Sequence, residues 1–277
     1  MLRQRVITAI VLLALLLPAL FAASAWPFAT LTLAGIGAAG WEWSRLNAAA
    51  GIAPVLGVAL GLACAAALWV GWIGTAPASA WCAAALVWVF GGAWVLHRGP
   101  PAWPRLPRGL RLLAGLALLW TAWLALVTAK AIGVNFILSV FCLVWAADIS
   151  AYFGGRAFGR RKLAPSISPG KSWEGVWSGM VGALLLAGIW LVAERTFTLD
   201  SKSVYALLAA RLGGFGLALG VVFLVAMSVV GDLFESLVKR SAGAKDSSAL
   251  LPGHGGVLDR IDALLSVFPI ALALSSV

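Results

Sequence analysis

The sequence predicts an all-α, polytopic integral membrane protein of about nine transmembrane helices with a cytoplasmic N-terminus. Three observations lead there. Of the 277 residues, 62% are hydrophobic and only 11% are charged, with a mean hydropathy of +0.99, whereas about a quarter of the residues in a soluble domain are charged. Apolar runs of roughly twenty residues recur along the chain, enough to cross a ~30 Å hydrocarbon layer at 1.5 Å per residue. Sorted against alternate loops, 16 of the 20 basic residues gather on the side of the N-terminus, Arg3 and Arg5 among them, and Lys130, Arg195, Lys202 and Arg211 remain on the other. That asymmetry follows the positive-inside rule and calls for an odd number of spans.

Taken in order, the chain opens with MLRQR and an apolar run ending near Ala23-Ser24-Ala25. Those three residues resemble a signal-peptide cleavage site, but the run exceeds a usual signal core and further spans follow, so it is read as a retained first span. Further spans are expected over 25–44, 52–73, 77–97, 110–130, 132–153, 174–193, 205–231 and 256–275. The first of these is the weakest, short of bulky residues and rich in Gly and Ala. The chain divides into an N-terminal set of about five helices, 1–130, and a C-terminal catalytic set of about four, 131–277, with cytoplasmic loops over 154–173 and 232–255. The Pro-rich basic stretch 98–108 reads as a stiff connector near the headgroups. The 15 Trp and 31 Gly suit interfaces and close helix contacts, the latter expected at Gly179, Gly182, Gly213, Gly214, Gly216 and Gly220. Cys64, Cys82 and Cys142 stand alone in apolar runs, with no disulfide or zinc spacing. The net charge of +10 is assigned to topology and to anionic lipid or nucleotide phosphate, not to nucleic acid.

Five of the ten carboxylates lie between Asp232 and Asp262: Asp232, Glu235, Asp246, Asp259 and Asp262. Lys239, Arg240, Lys245 and Arg260 accompany them. Asp232, Glu235, Ser236 and Lys239 share one face if helical, as do Asp259 and Asp262. Carboxylates offered from two helix ends suit a hard cation such as Mg2+. Between them Pro252-Gly253-His254-Gly255-Gly256 forms a turn whose backbone N–H groups can approach an anion. The alternative is a set of solvated loop charges paired with one another, an arrangement less natural in a chain with so few charges.

A second polar group starts at Asp148, within Trp145-Ala-Ala-Asp148-Ile-Ser150-Ala-Tyr152. A carboxylate at membrane depth marks a functional or paired site, and near the interface it can also simply reach for water. Tyr152, one turn on, is placed to donate to it or to a phosphate. The loop after it holds Ser166-Ile-Ser168-Pro169-Gly170-Lys171-Ser172-Trp173-Glu174. Ser172 fits as a helix N-cap and Glu174 as a first-turn acid. Lys171 does not suit a helix N-terminus, where the dipole disfavours a cation, and a bound anion would resolve the conflict.

Ser236-Leu-Val-Lys239-Arg240, then Lys245-Asp246, then Leu251-Pro-Gly-His254-Gly255-Gly256-Val-Leu-Asp259-Arg260-Ile-Asp262 resembles the signature of the phosphatidate cytidylyltransferases, or CDP-diacylglycerol synthases. The Lys171 loop resembles the same family's Ser-Pro-Lys-Lys-Thr-x-Glu-Gly, departing at Gly170, where Lys is usual, and at Ser172, where Thr is usual. The resemblance rests on the blocks 145–175 and 231–262 and implies a membrane nucleotidyltransferase that makes CDP-diacylglycerol and pyrophosphate from CTP and phosphatidic acid. It implies Mg2+ on Asp232 and Asp259, with room for a second cation. Asp232, Asp259, Lys239, Arg240, Lys245, Asp246 and His254 form the catalytic group, His254 as a phosphate donor or turn residue rather than a base. Asp148, Tyr152, Ser168, Lys171, Ser236, Gly255, Gly256, Arg260 and Asp262 are assigned to substrate. A homodimer in a bacterial inner membrane, with the site facing the cytoplasm, completes the expectation. Two alternatives stand beside it: a CTP-dependent lipid-alcohol kinase, and a cation transporter using Asp148 and Asp232, which would need those carboxylates near the bilayer midplane.

Overall fold

The computed structural model describes residues 2–276, with side chains from Val6 onward, so Arg3 and Arg5 lie outside the described side chains. Helix α1 is Leu2–Phe21, α2 Trp26–Leu46 and α3 Ala53–Trp69; α4 (Ala78–Leu86) and α5 (Ala93–Arg98) run together through a wider π-helical turn, Val87–Gly92. Then come α6 (Arg108–Ile132), α7 (Val134–Phe158), the antiparallel pair β1 (Lys162–Ala164) and β2 (Ser168–Ser172), α8 (Trp173–Thr196), α9 (Val204–Ser241) and α10 (Leu258–Ser276). All nine stretches expected from the sequence are helical. By length and composition, however, six helical stretches qualify to cross a membrane among the described residues: Ala50–Trp69, Ala78–Arg98, Arg108–Ile132, Val134–Phe158, Trp173–Thr196 and Val204–Ser241. The helices left out include α2, which carries Glu42 and Arg45, and α10, which carries Asp259, Arg260 and Asp262.

Local chemistry explains where the elements begin. Ser172, with extended backbone, caps α8 by accepting from the Gly175 N–H at 3.2 Å, and Ser203 caps α9 through Ala206 N–H at 3.1 Å, each satisfying a donor the helix leaves free. The α6–α7 corner turns at Gly133, φ +154°, and the first N–H groups of α7 are capped from a distant loop. Asp200 accepts from Val134 at 2.5 Å and Asn135 at 2.9 Å. Partial burial pushes the Asp200 carboxyl up, but the N–H groups of Asn135 and Val134 outweigh it and hold the group below the usual carboxylate range.

One apolar core runs through both halves of the chain. Near its charged end Phe234 of α9 stacks on Trp43 of α2 at 5.9 Å and meets Trp88 and Trp103 edge-on at 5.5 Å. Trp103 is the surprise. The stretch 98–108, expected as a stiff connector, is also tied to the core, because the Trp103 indole is buried and donates to Asn47 Oδ1 at 2.9 Å.

Small residues bring α7 and α8 together. A Cβ at Gly179 would stand 2.9 Å from the Ala147 carbonyl, and one at Gly182 would collide with Ser150 Oγ. Gly213 and Gly214, expected to do the same, have nothing within 4 Å. Gly213 instead breaks α9 with φ +68° and ψ −177°, a conformation that glycine tolerates.

Two expected loops are shorter than their sequence bounds. Helix α7 continues to Phe158, so Asp148 lies well inside it, and the rest of 154–173 is the β1–β2 hairpin. Helix α9 continues to Ser241, so Asp232, Glu235, Ser236, Lys239 and Arg240 are helical and the true loop is 242–257. The cause is the same in both cases. Backbone hydrogen bonding outlasts hydrophobicity, so a helix does not end where its residues turn polar, but where glycine or a cap stops it.

Candidate active site

The polar end of α9 projects Asp232, Ser236 and Glu235, and then Lys239 one turn on. Ser236 Oγ donates to Asp232 Oδ1 at 3.3 Å. From the hairpin, Lys171 on β2 reaches Asp232 Oδ2 at 2.5 Å. The anion expected beside Lys171 is therefore supplied within the chain. Asp148 of α7 and Asp262 of α10 both lie within electrostatic reach of this Lys171–Asp232 pair, so four elements contribute to one charged cluster.

A second cluster adjoins it. Lys239 Nζ sits between Glu235 Oε2 at 2.6 Å and Asp259 Oδ1 at 2.5 Å, and all three are buried or nearly so. Asp259 Oδ2 accepts from Ser247 N–H at 2.9 Å, Ser247 Oγ–H at 2.8 Å and Gly256 N–H at 2.8 Å. Asp259 thus holds the glycine turn closed at the N-terminus of α10, where the helix dipole favours its charge. Within the turn Leu251 and Gly255 pair across the chain at 2.8 Å, and Gly253 and Gly255 take φ of +77° and +79°, values that explain glycine there.

The sequence expected Asp232 and Asp259 to share a cation. In the structure each answers a different lysine, and no three His, Cys, Asp or Glu side chains among the described residues converge as a ready metal cage. Asp232, with one oxygen on a lysine and the other on a hydroxyl, has donor capacity for a hard cation and its waters. Asp259 has both oxygens engaged and would take a cation by exchanging Lys239.

The remaining expected residues are placed as follows. Arg240 is exposed, and its Nε and Nη1 reach the Ile167 and Ala244 carbonyls at 3.3 and 3.4 Å, tying the hairpin to the end of α9. Lys245, Asp246 and Arg260 are exposed beside the turn, and Ser168 is half-buried on β2. Tyr152 is 60% exposed and packs edge-on against Phe153, without bonding Asp148. His254 Nδ1 is buried without a hydrogen-bond partner among the described residues, and the His254 N–H closes the turn on the Leu251 carbonyl at 2.8 Å.

One participant escaped the sequence reading. Glu42 of α2 is fully buried and accepts from Ser248 Oγ at 2.5 Å, Ser247 Oγ at 3.2 Å, Val257 N–H at 3.0 Å and Leu258 N–H at 2.7 Å. A lone acid in an apolar helix was a signal in itself, but its partners lie more than 200 residues away.

Clustered lysines and carboxylates at helix ends, beside a glycine turn, are the residue types that can hold phosphate groups. A family model described as "Cytidylyltransferase family" matches residues 3–277. The chain belongs to the cytidylyltransferase family. It is 42% identical over 280 residues to a phosphatidate cytidylyltransferase of Pseudomonas aeruginosa, covering 99% of this chain and 97% of that one. It is 51% identical over 137 residues to the Haemophilus influenzae protein of the same name, covering 50% of this chain and 44% of that one. With the phosphatidate cytidylyltransferase of Bacillus subtilis it shares 42% identity over 138 residues, 50% of this chain and 46% of that one. The two lysine–carboxylate clusters, Lys171–Asp232 and Glu235–Lys239–Asp259, lie within the stretch that this family match covers.

Proposed function

We propose that this protein transfers the cytidylyl group of CTP to phosphatidic acid, releasing pyrophosphate and leaving CDP-diacylglycerol in the membrane. A phosphate oxygen of the lipid attacks the α-phosphorus, and the bond from that phosphorus to the β-phosphate oxygen breaks. The second ionisation of a phosphate monoester lies near pH ~6, so at neutral pH the nucleophile needs no base. The chemistry therefore rests on neutralising charge and aligning two anions.

The observation that carries this reading is the Lys171–Asp232 pair, which brings the hairpin onto α9 beside Asp148 and Asp262. Lys171 is placed for a phosphate of one reactant, and Arg240, Lys245 and Arg260, exposed around the glycine turn, for phosphates of the other. His254 shapes the turn, with Gly255 and Gly256 leaving backbone room. Tyr152, Ser168 and Ser236 complete the polar rim. Mg2+ fits the oxygen donors at Asp232, with Asp259, Asp262, Asp246 or Asp148 as further ligands or a second cation site. When bound it would neutralise charge on the pyrophosphate.

The same proposal places the protein in a bacterial inner membrane as nine spans, counting α1, α2 and α10, with the N-terminus and the site at the cytoplasm. Helices α1–α6 form the supporting half and α7–α10 the catalytic half, and two copies form a homodimer. The basic residues gathered on one side support the orientation, and the bacterial relatives support the compartment.

The test is turnover by the detergent-purified protein with phosphatidic acid and CTP labelled at the α or the γ phosphate, with Mg2+ and with EDTA. Label from the α position entering lipid, with pyrophosphate released, supports the proposal. Label from the γ position entering a lipid alcohol would replace it with a kinase.

A further inference from the structure

Glu42 has no cation within ion-pair distance among the described residues, and its carboxylate is fully buried. A buried charge is costly unless its hydrogen bonds are complete. Four donors lie within hydrogen-bond distance here, all from the segment 247–258, the Ser247 hydroxyl being shared with Asp259. Two are N–H groups at the start of α10, as a helix cap would require. The two hydroxyls go beyond capping.

Ser247 Oγ lies 2.8 Å from Asp259 Oδ2 and 3.2 Å from Glu42 Oε2. A serine hydroxyl has one proton to donate, so it serves one carboxylate at a time. In this arrangement it favours Asp259, whose Oδ2 already takes two backbone N–H groups and whose Oδ1 holds Lys239. Close polar contacts thus run from Glu42 to Ser247 and on through Asp259 and Lys239 to Glu235, with the Ser247 hydroxyl shared between the two carboxylates at the near end. At its near end there is no slack, because a Cβ on Gly256 would collide with both Ser247 Oγ and Glu42 Oε1.

We propose that Glu42 is a positioning residue for cytidylyl transfer: by offering the Ser247 hydroxyl a second acceptor, it sets how tightly Asp259 is held and fixes the glycine turn against α10. When Asp259 turns from Lys239 toward a reactant, the Ser247 hydroxyl swings to Glu42 and keeps an acceptor. The inference rests on the reaction proposed above, with Glu42 acting through Ser247 and not on the reactants.

The experiment uses the full-length protein in detergent, with E42Q, E42D, S247A and the E42Q/S247A pair. Steady-state kinetics are read with CTP and phosphatidic acid, and hydrogen exchange is followed over 245–258. E42Q is expected to lower kcat by roughly 10- to 100-fold, the range for partners that orient active-site ligands, with KM for CTP within about threefold. E42D recovers part of the rate, S247A resembles E42Q, and the double variant is no slower than the slower single, as coupled residues behave. Exchange over 245–258 rises in both single variants. Losses that multiply in the double variant, a change confined to KM, or unaltered exchange in E42Q would each overturn the proposal. Should E42Q not fold, E42D and E42D/S247A answer the same question. A wild-type protein without turnover would defeat the reaction itself, while exchange would still judge whether Glu42 holds the turn.

Discussion

Lys171 meets Asp232 across two different elements, its Nζ 2.5 Å from Oδ2, with each side chain a little over a quarter exposed. The contact orients a cation on the hairpin and an acid on α9 toward the same opening. It is too exposed to contribute much to stability, since ion pairs in contact with solvent contribute about 0–1 kcal/mol. Its value lies in placement.

Replacing Lys171 by Met should therefore separate activity from stability. A loss of kcat/KM on the order of 100-fold is expected for removing one preorganised charge from a phosphoryl-transfer site, with the melting midpoint in detergent nearly unchanged. Lys171→Arg should retain an intermediate rate. Labelled-CTP turnover and a thermal melt measure both.

Lys239 predicts the opposite balance. It is buried between Glu235 and Asp259, and Lys239→Met would leave two buried carboxylates without their cation, at a cost of about 3–5 kcal/mol. A large fall in the melting midpoint is expected. Adding Glu235→Leu should recover much of that stability by removing one stranded charge, while turnover stays low because Asp259 remains without its partner.

Gly256→Ala should abolish most activity, at least tenfold by analogy with a displaced orienting group, because its Cβ would strike Glu42 and Ser247. Gly188→Ala in α8, with nothing within 4 Å, should leave turnover at the wild-type level. Parallel assays of the two variants compare a glycine required for close approach with one that is not.

Asp200 lies outside the membrane-spanning helices, and its ionised form is held by the N–H groups that begin α7. With a folded-state value below the ordinary ~3.9, its contribution is complete above that ordinary value and is lost as pH falls through the lower folded one. Asp200→Asn should lower the melting midpoint at pH 7, and the gap from wild type should close as the pH drops below about 4. A gap that stays constant across that window would contradict this assignment.

The sequence spoke clearly wherever local chemistry decides the outcome. Helix α8 was expected over 174–193 and spans Trp173–Thr196, because Ser172 and a long apolar run mark it without help from elsewhere. The face shared by Asp232, Ser236 and Lys239 followed from helical spacing alone. What stayed hidden depends on distant partners. Glu42 and Leu258 meet over a separation no periodicity encodes, and nothing local in the Pro-rich stretch 98–108 marks Trp103 as a core residue held by Asn47 and Phe234. The contact of Asp259 with Lys239 is likewise a matter of how α9 and α10 pack.

The most direct measurement is the rate at which α-labelled CTP delivers its label to phosphatidic acid in Asp232→Asn, beside wild type, with folding checked by a thermal melt. The account predicts a loss of at least ~100-fold with a midpoint close to that of wild type, because the variant keeps its shape and loses the charge that orders the site. Transfer within twofold of wild type by a folded Asp232→Asn protein would contradict it.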